Sequence, residues 1–166
     1  MEKATFAAGC FWGVQATFLQ LEGVIKTQVG YAGGHKINPS YQDVSADTTG
    51  HAEALEITFD PDILSYKELV EIFFRLHDPT QLNRQGPDIG SQYRSVIFYH
   101  TPEQKKTAEE IKIKFQNSEK YLGRKIVTEI TPGSKFYRAE EYHQRYFEKN
   151  GFHPCVNFLP IPRKNG

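Results

Sequence analysis

The chain has only two cysteines, one tryptophan and one methionine among its 166 residues. Cys10 and Cys155 stand near opposite ends, which excludes a C-x-x-C pair, a zinc knuckle or a small disulfide scaffold. In a reducing compartment they are independent thiols, a transient redox pair, or one functional thiol and one bystander. The single methionine is Met1, and the lack of internal ones suits work among oxidants, although methionine is rare in any protein and easily replaced. Net charge is missing as well, because 20 basic side chains face 20 acidic ones. Nothing in that balance calls for nucleic acid or a membrane surface. No run reaches the roughly 18 apolar residues of a membrane span, and "MEKATFAAGCFWG" has no signal-peptide pattern. These absences lead us to expect a cytoplasmic protein. The six histidines follow neither H-x-x-x-H nor Cys/His spacing, so no metal site is expected.

What is present is a core. A hydrophobic fraction of 39% with 12 Phe and 9 Tyr predicts one domain over residues 1–166. "KATFAAG" reads as a strand ending in Gly9. Val14, Phe18 and Leu21 then fall on one helical face that Gly23 can close, which puts Cys10 at a helix start. "VIKTQVGYAGG" is a second strand, and the loop "GGHKINPSYQDVSADTTG" is long enough to be a functional candidate. "HAEALEITFDP" alternates Leu55, Ile57 and Phe59 against Glu56 and Thr58 as a strand does. Ser65 with Glu68 opens a helix carrying Leu69, Ile72, Phe73 and Leu76. A second long loop, "HDPTQLNRQGPDIGSQ", leads to the strand "YRSVIFYH", and Thr101-Pro102 opens a helix lined by Ala108, Ile111, Phe115 and Leu122. "IVTEITP" is predicted as a strand, "RAEEYHQRYFEKN" as a helix, and the tail from about residue 151 as irregular. The order predicts an α/β domain with a mixed sheet and helices packed on it.

A thiol at a helix start gains from the positive end of the dipole and from unpaired N–H groups, which favour the thiolate nucleophile. A packed core thiol is the alternative reading of Cys10. Phe11 and Trp12 beside it are either core aromatics or walls of a small apolar pocket. Glu53 is a solvated strand end or, if its strand is central and Cys10 is near, a desolvated acid able to give a proton near neutral pH. On that second reading Glu53→Gln is expected to lower activity most at high pH. Tyr41, Asp88 and Tyr93 lie in the long loops, as surface residues or as hydrogen-bond partners for a polar oxygen. His51 offers a different chemistry, as the base for a Cys10 nucleophile in a hydrolase or acyltransferase.

"GCFWG", "GYAGG", "GHAE" and "GSQYRS", in this order and over nearly the whole chain, resemble the A-type peptide methionine sulfoxide reductases. The resemblance implies a two-layer sandwich with a mixed sheet and a ferredoxin-like core. It implies that Cys10 attacks the sulfoxide sulfur, Glu53 protonates its oxygen, Phe11 and Trp12 hold the methyl group, and Tyr41, Tyr93 and Asp88 line the same pocket. It makes Cys155 the resolving thiol, which condenses with the Cys10 sulfenic acid to a disulfide that thioredoxin or another dithiol reduces, with no bound cofactor. The substrate would be methionine S-sulfoxide, free or in oxidised proteins, and the protein a monomer. Where relatives carry a glycine-rich tail after this cysteine, the present chain reads "CVNFLPIPRKNG". A non-catalytic sulfoxide-binding module is the remaining alternative.

Overall fold

The apolar alternation noted above becomes the centre of a sheet. The computed structural model describes residues 1–151, so Cys155 and the tail around it lie outside the described residues. In chain order the elements are β1 (Glu2–Ala8), α1 (Phe11–Leu19), β2 (Val24–Ala32), α2 (Tyr41–Ser45), β3 (Ala52–Phe59), α3 (Tyr66–Leu76), β4 (Arg84–Gln85), β5 (Asp88–Ile89), β6 (Ser95–Tyr99), α4 (Pro102–Gln116), β7 (Glu129–Pro132), β8 (Tyr137–Arg138) and α5 (Tyr146–Asn150). Among the described residues the main sheet runs β7-β6-β1-β3-β2-β8. Its pairs are antiparallel except β6 with β7, which makes it mixed.

β3 lies between β1 and β2. A strand with neighbours on both sides has both backbone edges paired, and the period of two sorts its side chains between the two faces of the sheet. Leu55, Ile57 and Phe59 join Phe6, Val29, Ile97 and the helix residues Phe18, Leu69 and Phe73 in the larger core. Each such side chain stabilises the fold by about 2 kcal/mol. Ala52 and Ala54 face the other way, among Ala7, Ala32, Val96 and Phe98. Glu53 shares the parity of Leu55 and is therefore carried on the helix-covered face, directly opposite Tyr31 of β2.

Two glycines make the site's geometry possible. Gly9 has φ 91°, and a Cβ there would come within 2.8 Å of Gln85 Cβ, so the tight passage from β1 to Cys10 excludes other residues. A Cβ on Gly30 would overlap the Tyr137 carbonyl oxygen, which is how the "GYAGG" stretch admits β8 as its neighbour.

Four sequence expectations change. The long loop before β3 holds α2, whose N-terminus has a complete capping box: Ser40 Oγ accepts from Asp43 N at 3.1 Å and Asp43 Oδ2 accepts from Ser40 N at 2.9 Å. The second long loop folds back on itself as the β4–β5 hairpin. Leu122 lies past the end of α4 and is 84% exposed, so it is not part of that helix's apolar face.

The stretch read as one helix over "RAEEYHQRYFEKN" is instead a single 3-10 turn at Glu141–His143 and the short α5. Arg145 is left-handed (φ 52°) between them, and the buried Gln144 directs its hydrogen bonds away from the local turn. Its Nε2 donates to Val29 O at 2.9 Å and Ala139 O at 3.0 Å, and its Oε1 accepts from Val29 N at 3.0 Å. Arg145 N donates to Gln15 Oε1 of α1 at 2.8 Å. Tertiary partners outcompete the local helix, whose propensity alone is weak.

Candidate active site

Cys10 is the N-cap of α1, and its side chain does not cap that helix. The thiol is half-buried. No acidic residue occupies the first turn of α1, and a carboxyl from the sheet serves there instead: Phe11 N donates to Glu53 Oε1 at 3.2 Å. This one hydrogen bond joins the Cys10 turn to β3. The positive end of the helix dipole lies at the same place.

Glu53 is 3% exposed. Burial pushes its pKa up to about 8, the Phe11 N–H opposes that rise, and the nearby Asp88 charge adds to it. At neutral pH the carboxyl is therefore largely protonated. Because Oε1 accepts from Phe11, the proton resides on Oε2, where it can be given away.

The two phenols gather around this pair. Burial raises the pKa of Tyr41 and Tyr93, and both sense the charges of Glu53 and Cys10. Tyr93 also senses Tyr41 and Asp88. Tyr41 begins α2, Asp88 begins β5 and Tyr93 ends a 3-10 turn over Ser91–Tyr93. The two long loops thus converge beside α1 at the edge of the sheet where β1 ends and β3 begins. Asp47 holds them together by accepting from Ser91 Oγ and from Ser91 N. Phenols that stay protonated are hydrogen-bond donors that bring no charge.

The aromatic pair divides its work. Phe11 is 1% exposed, packed on Tyr31 at 5.8 Å and His143 at 5.3 Å between ring centroids, and its contribution to Glu53 comes from the backbone. Trp12 is partly buried. Its indole N–H donates to His143 Nδ1 at 3.0 Å, and Tyr146 lies flat on it, 3.8 Å between centroids and 8° between planes. On the α5 side of Trp12 runs a groove of about 410 Å³, lined by Ala16, Leu19, Tyr146 and Phe147 among others.

His51 does not serve as a base. Its Nδ1 accepts from Gly34 N at 3.0 Å, so Nε2 carries the proton and donates it to Lys36 O at 2.7 Å. Both nitrogens hold loop backbone.

Three residues near the site escaped the sequence reading. Glu140 takes Tyr31 Oη on one oxygen and Tyr41 N on the other, each at 3.0 Å. His143 and Tyr146 hold Trp12. All three lie in the "RAEEYHQRYF" stretch, whose density of acids and aromatics was the available signal. Among the described residues no group of three or more His, Cys, Asp or Glu could hold a metal ion, and no helix is long and apolar enough to cross a membrane.

A model of the family described as peptide methionine sulfoxide reductase matches residues 2–163. A peptide methionine sulfoxide reductase MsrA of Acidobacterium capsulatum is 59% identical over 155 residues, covering 93% of this chain and 99% of its own length. Mxr1 of Saccharomyces cerevisiae in reduced form superposes with TM-score 0.87 at 39% identity, over 95% of this chain and 91% of that one. Mxr1 in complex with Trx2 superposes with TM-score 0.62 at 31% identity, over 87% of this chain and 84% of that one.

Proposed function

The chain belongs to the peptide methionine sulfoxide reductase family, an enzyme family, and from that premise we propose that Cys10 reduces methionine S-sulfoxide with Glu53 as the proton donor. The observation that carries this reading is the buried, protonated Glu53 held by the N–H next to the Cys10 cap. A sulfoxide sulfur is a poor electrophile until its oxygen is protonated or strongly hydrogen-bonded, and a buried acid near neutral pH meets that need. The Cys10 thiolate attacks sulfur while Glu53 Oε2 gives its proton to the oxygen. Tyr41 and Tyr93 donate hydrogen bonds to the same oxygen, and Asp88 helps keep Glu53 protonated. Trp12, with Phe11 behind it, receives the methyl group. The hydroxyl then passes from the substrate sulfur to the Cys10 sulfur as the transient sulfur–sulfur bond breaks, which leaves methionine and a sulfenic acid, Cys10–S–OH.

Cys155 then attacks the sulfenic sulfur, expels water and leaves a disulfide with Cys10. A thioredoxin-type dithiol reduces that disulfide by exchange, a reading supported by the complex of the relative Mxr1 with Trx2. No prosthetic group is needed, because the electrons come from thiols. The protein acts as a cytoplasmic monomer whose 166 residues form one domain, on free or protein-bound substrate.

The test is intact mass after one exposure of reduced protein to methionine S-sulfoxide without reductant. Wild type is expected to lose two hydrogens, Cys155→Ser to gain one oxygen and Cys10→Ser to stay unchanged. An unchanged wild-type mass sinks the mechanism. Loss of two hydrogens in Cys155→Ser removes the resolving role from Cys155.

A further inference from the structure

His143 is completely buried, and its position is more specific than packing requires. Its Nδ1 lies 3.0 Å from Trp12 Nε1. An indole N–H only donates, so Nδ1 accepts, the imidazole is uncharged and its proton sits on Nε2. The ring is enclosed by Phe11 of α1, Tyr41 of α2 at 4.4 Å and Tyr142 at 3.9 Å. The titratable groups around it are Tyr41 from α2, Glu140 and Tyr142 from its own segment and, across the indole, Tyr146 of α5; Phe11 and Trp12 bring none. Burial outweighs the Glu140 charge and holds the imidazole below its ordinary pKa, so the acceptor form persists through neutral pH.

Two contacts of different kind therefore act on one indole. Stacking by Tyr146 fixes the tilt of the plane, but stacked rings can slide and turn against one another. A hydrogen bond from Nε1 is directional and selects one rotation within that plane. Both groups come from the segment that the left-handed Arg145 and the Gln144 bonds pin to α1 and β2.

We propose that His143 is a positioning residue for substrate: its Nδ1 sets the orientation of the Trp12 indole, so that the methyl-binding wall stands ready beside Cys10, and the wall loosens when the imidazole takes a second proton. This rests on the reading of Trp12 as that wall. Positioning of a binding wall affects ground state and transition state alike, so it acts on substrate affinity and leaves the chemical step nearly unchanged.

The experiment is single-turnover reduction of free methionine S-sulfoxide by wild type, His143→Phe, His143→Asn and Trp12→Leu, read as half-saturating concentration and limiting rate. Phe keeps the ring and removes the acceptor; Asn offers an amide oxygen close to where Nδ1 stands. His143→Phe is expected to raise the half-saturating concentration roughly tenfold, as loss of a buried hydrogen-bond partner does, with the limiting rate within about threefold, and Asn to restore most of the affinity. Trp12 is the only tryptophan, so fluorescence reports this ring alone. Acid titration of wild type from neutral pH downward should show an emission transition below the ordinary imidazole range as His143 protonates, and both His143 variants should lack it.

An unchanged half-saturation in His143→Phe, an equal rise in Phe and Asn, or a transition that persists in either variant overturns the proposal. If the Phe variant does not fold, His143→Asn decides: near-wild-type affinity without the transition upholds it, and any other result overturns it. Half-saturation unchanged in Trp12→Leu overturns the wall reading and the proposal with it. A rise there with none in His143→Phe overturns the positioning role alone.

Discussion

On the proposed mechanism Glu53 carries a proton when substrate arrives, and its burial sets the pH range in which it does. With a pKa of about 8, the acid form is present below that pH and lost above it. Wild-type activity is therefore expected to fall as pH rises through about 8. Glu53→Gln, which has no proton to give, should be about 10²- to 10⁴-fold slower near pH 7, with the deficit narrowing above pH 8. A pH–rate profile of the sulfenic acid step checks both points. This reverses the expectation drawn from sequence, that the deficit would be greatest at high pH. Alternation in "GHAEALEITF" places Glu53 on a strand face, but whether that face is wet depends on α1, which only tertiary packing brings over it. A deficit constant from pH 6 to 9 would remove the acid role.

Among the elements, the segment from Ala139 to Asn150 shows why local pattern was insufficient. It has the composition of a helix, yet its buried polar atoms find better partners on β2 and α1 than in its own turn. Gln144→Leu would leave Val29 N and the Ala139 carbonyl without their Gln144 partner, while Val29 O keeps its bond from Ala139 N at 2.9 Å. A loss of about 2–3 kcal/mol is expected, measured as a lower urea midpoint with unchanged slope. A variant as stable as wild type would mean the segment is held by its aromatic contacts alone. The helices whose ends follow local rules were legible: Ser65 accepts from Glu68 N at 3.1 Å and Thr101 from Gln104 N at 3.1 Å, as the sequence predicts for α3 and α4. The one-turn α2 was not, because a capping box followed by five residues has no apolar period to betray it.

The whole molecule responds to pH through a few buried groups whose shifts oppose one another. His77 is held at about 4 by burial, and His100 and His143 are also lowered. Each binds its proton more readily unfolded, so their stability contribution is complete above pH 6.5 and fades as the pH falls toward the folded values. Glu53 has the opposite sign: its folded pKa lies above the ordinary 4.5, so its contribution is fully present below 4.5 and has gone once the pH passes about 8. Stability within pH 4–9 is therefore expected to peak near pH 6.5, and thermal unfolding of Glu53→Gln should lack the decline between there and 8. A decline of equal size in the variant would assign it to other groups. The sequence alone determined the family, because its contiguous motifs are specific to it, and through that resemblance it put forward Cys10, Glu53, Tyr41 and Tyr93 for the chemistry. It also determined which strands alternate. Tertiary structure decided that β3 is central, that Glu53 is dry, that His51 holds a loop, and that Glu140, His143 and Tyr146 reach Tyr41 and Trp12. The Glu140 and His143 contacts join groups 99 and 131 residues apart along the chain, the place of β3 depends on its pairing with β1 and β2, and the dryness of Glu53 depends on what covers its face; no local pattern encodes burial by a distant segment.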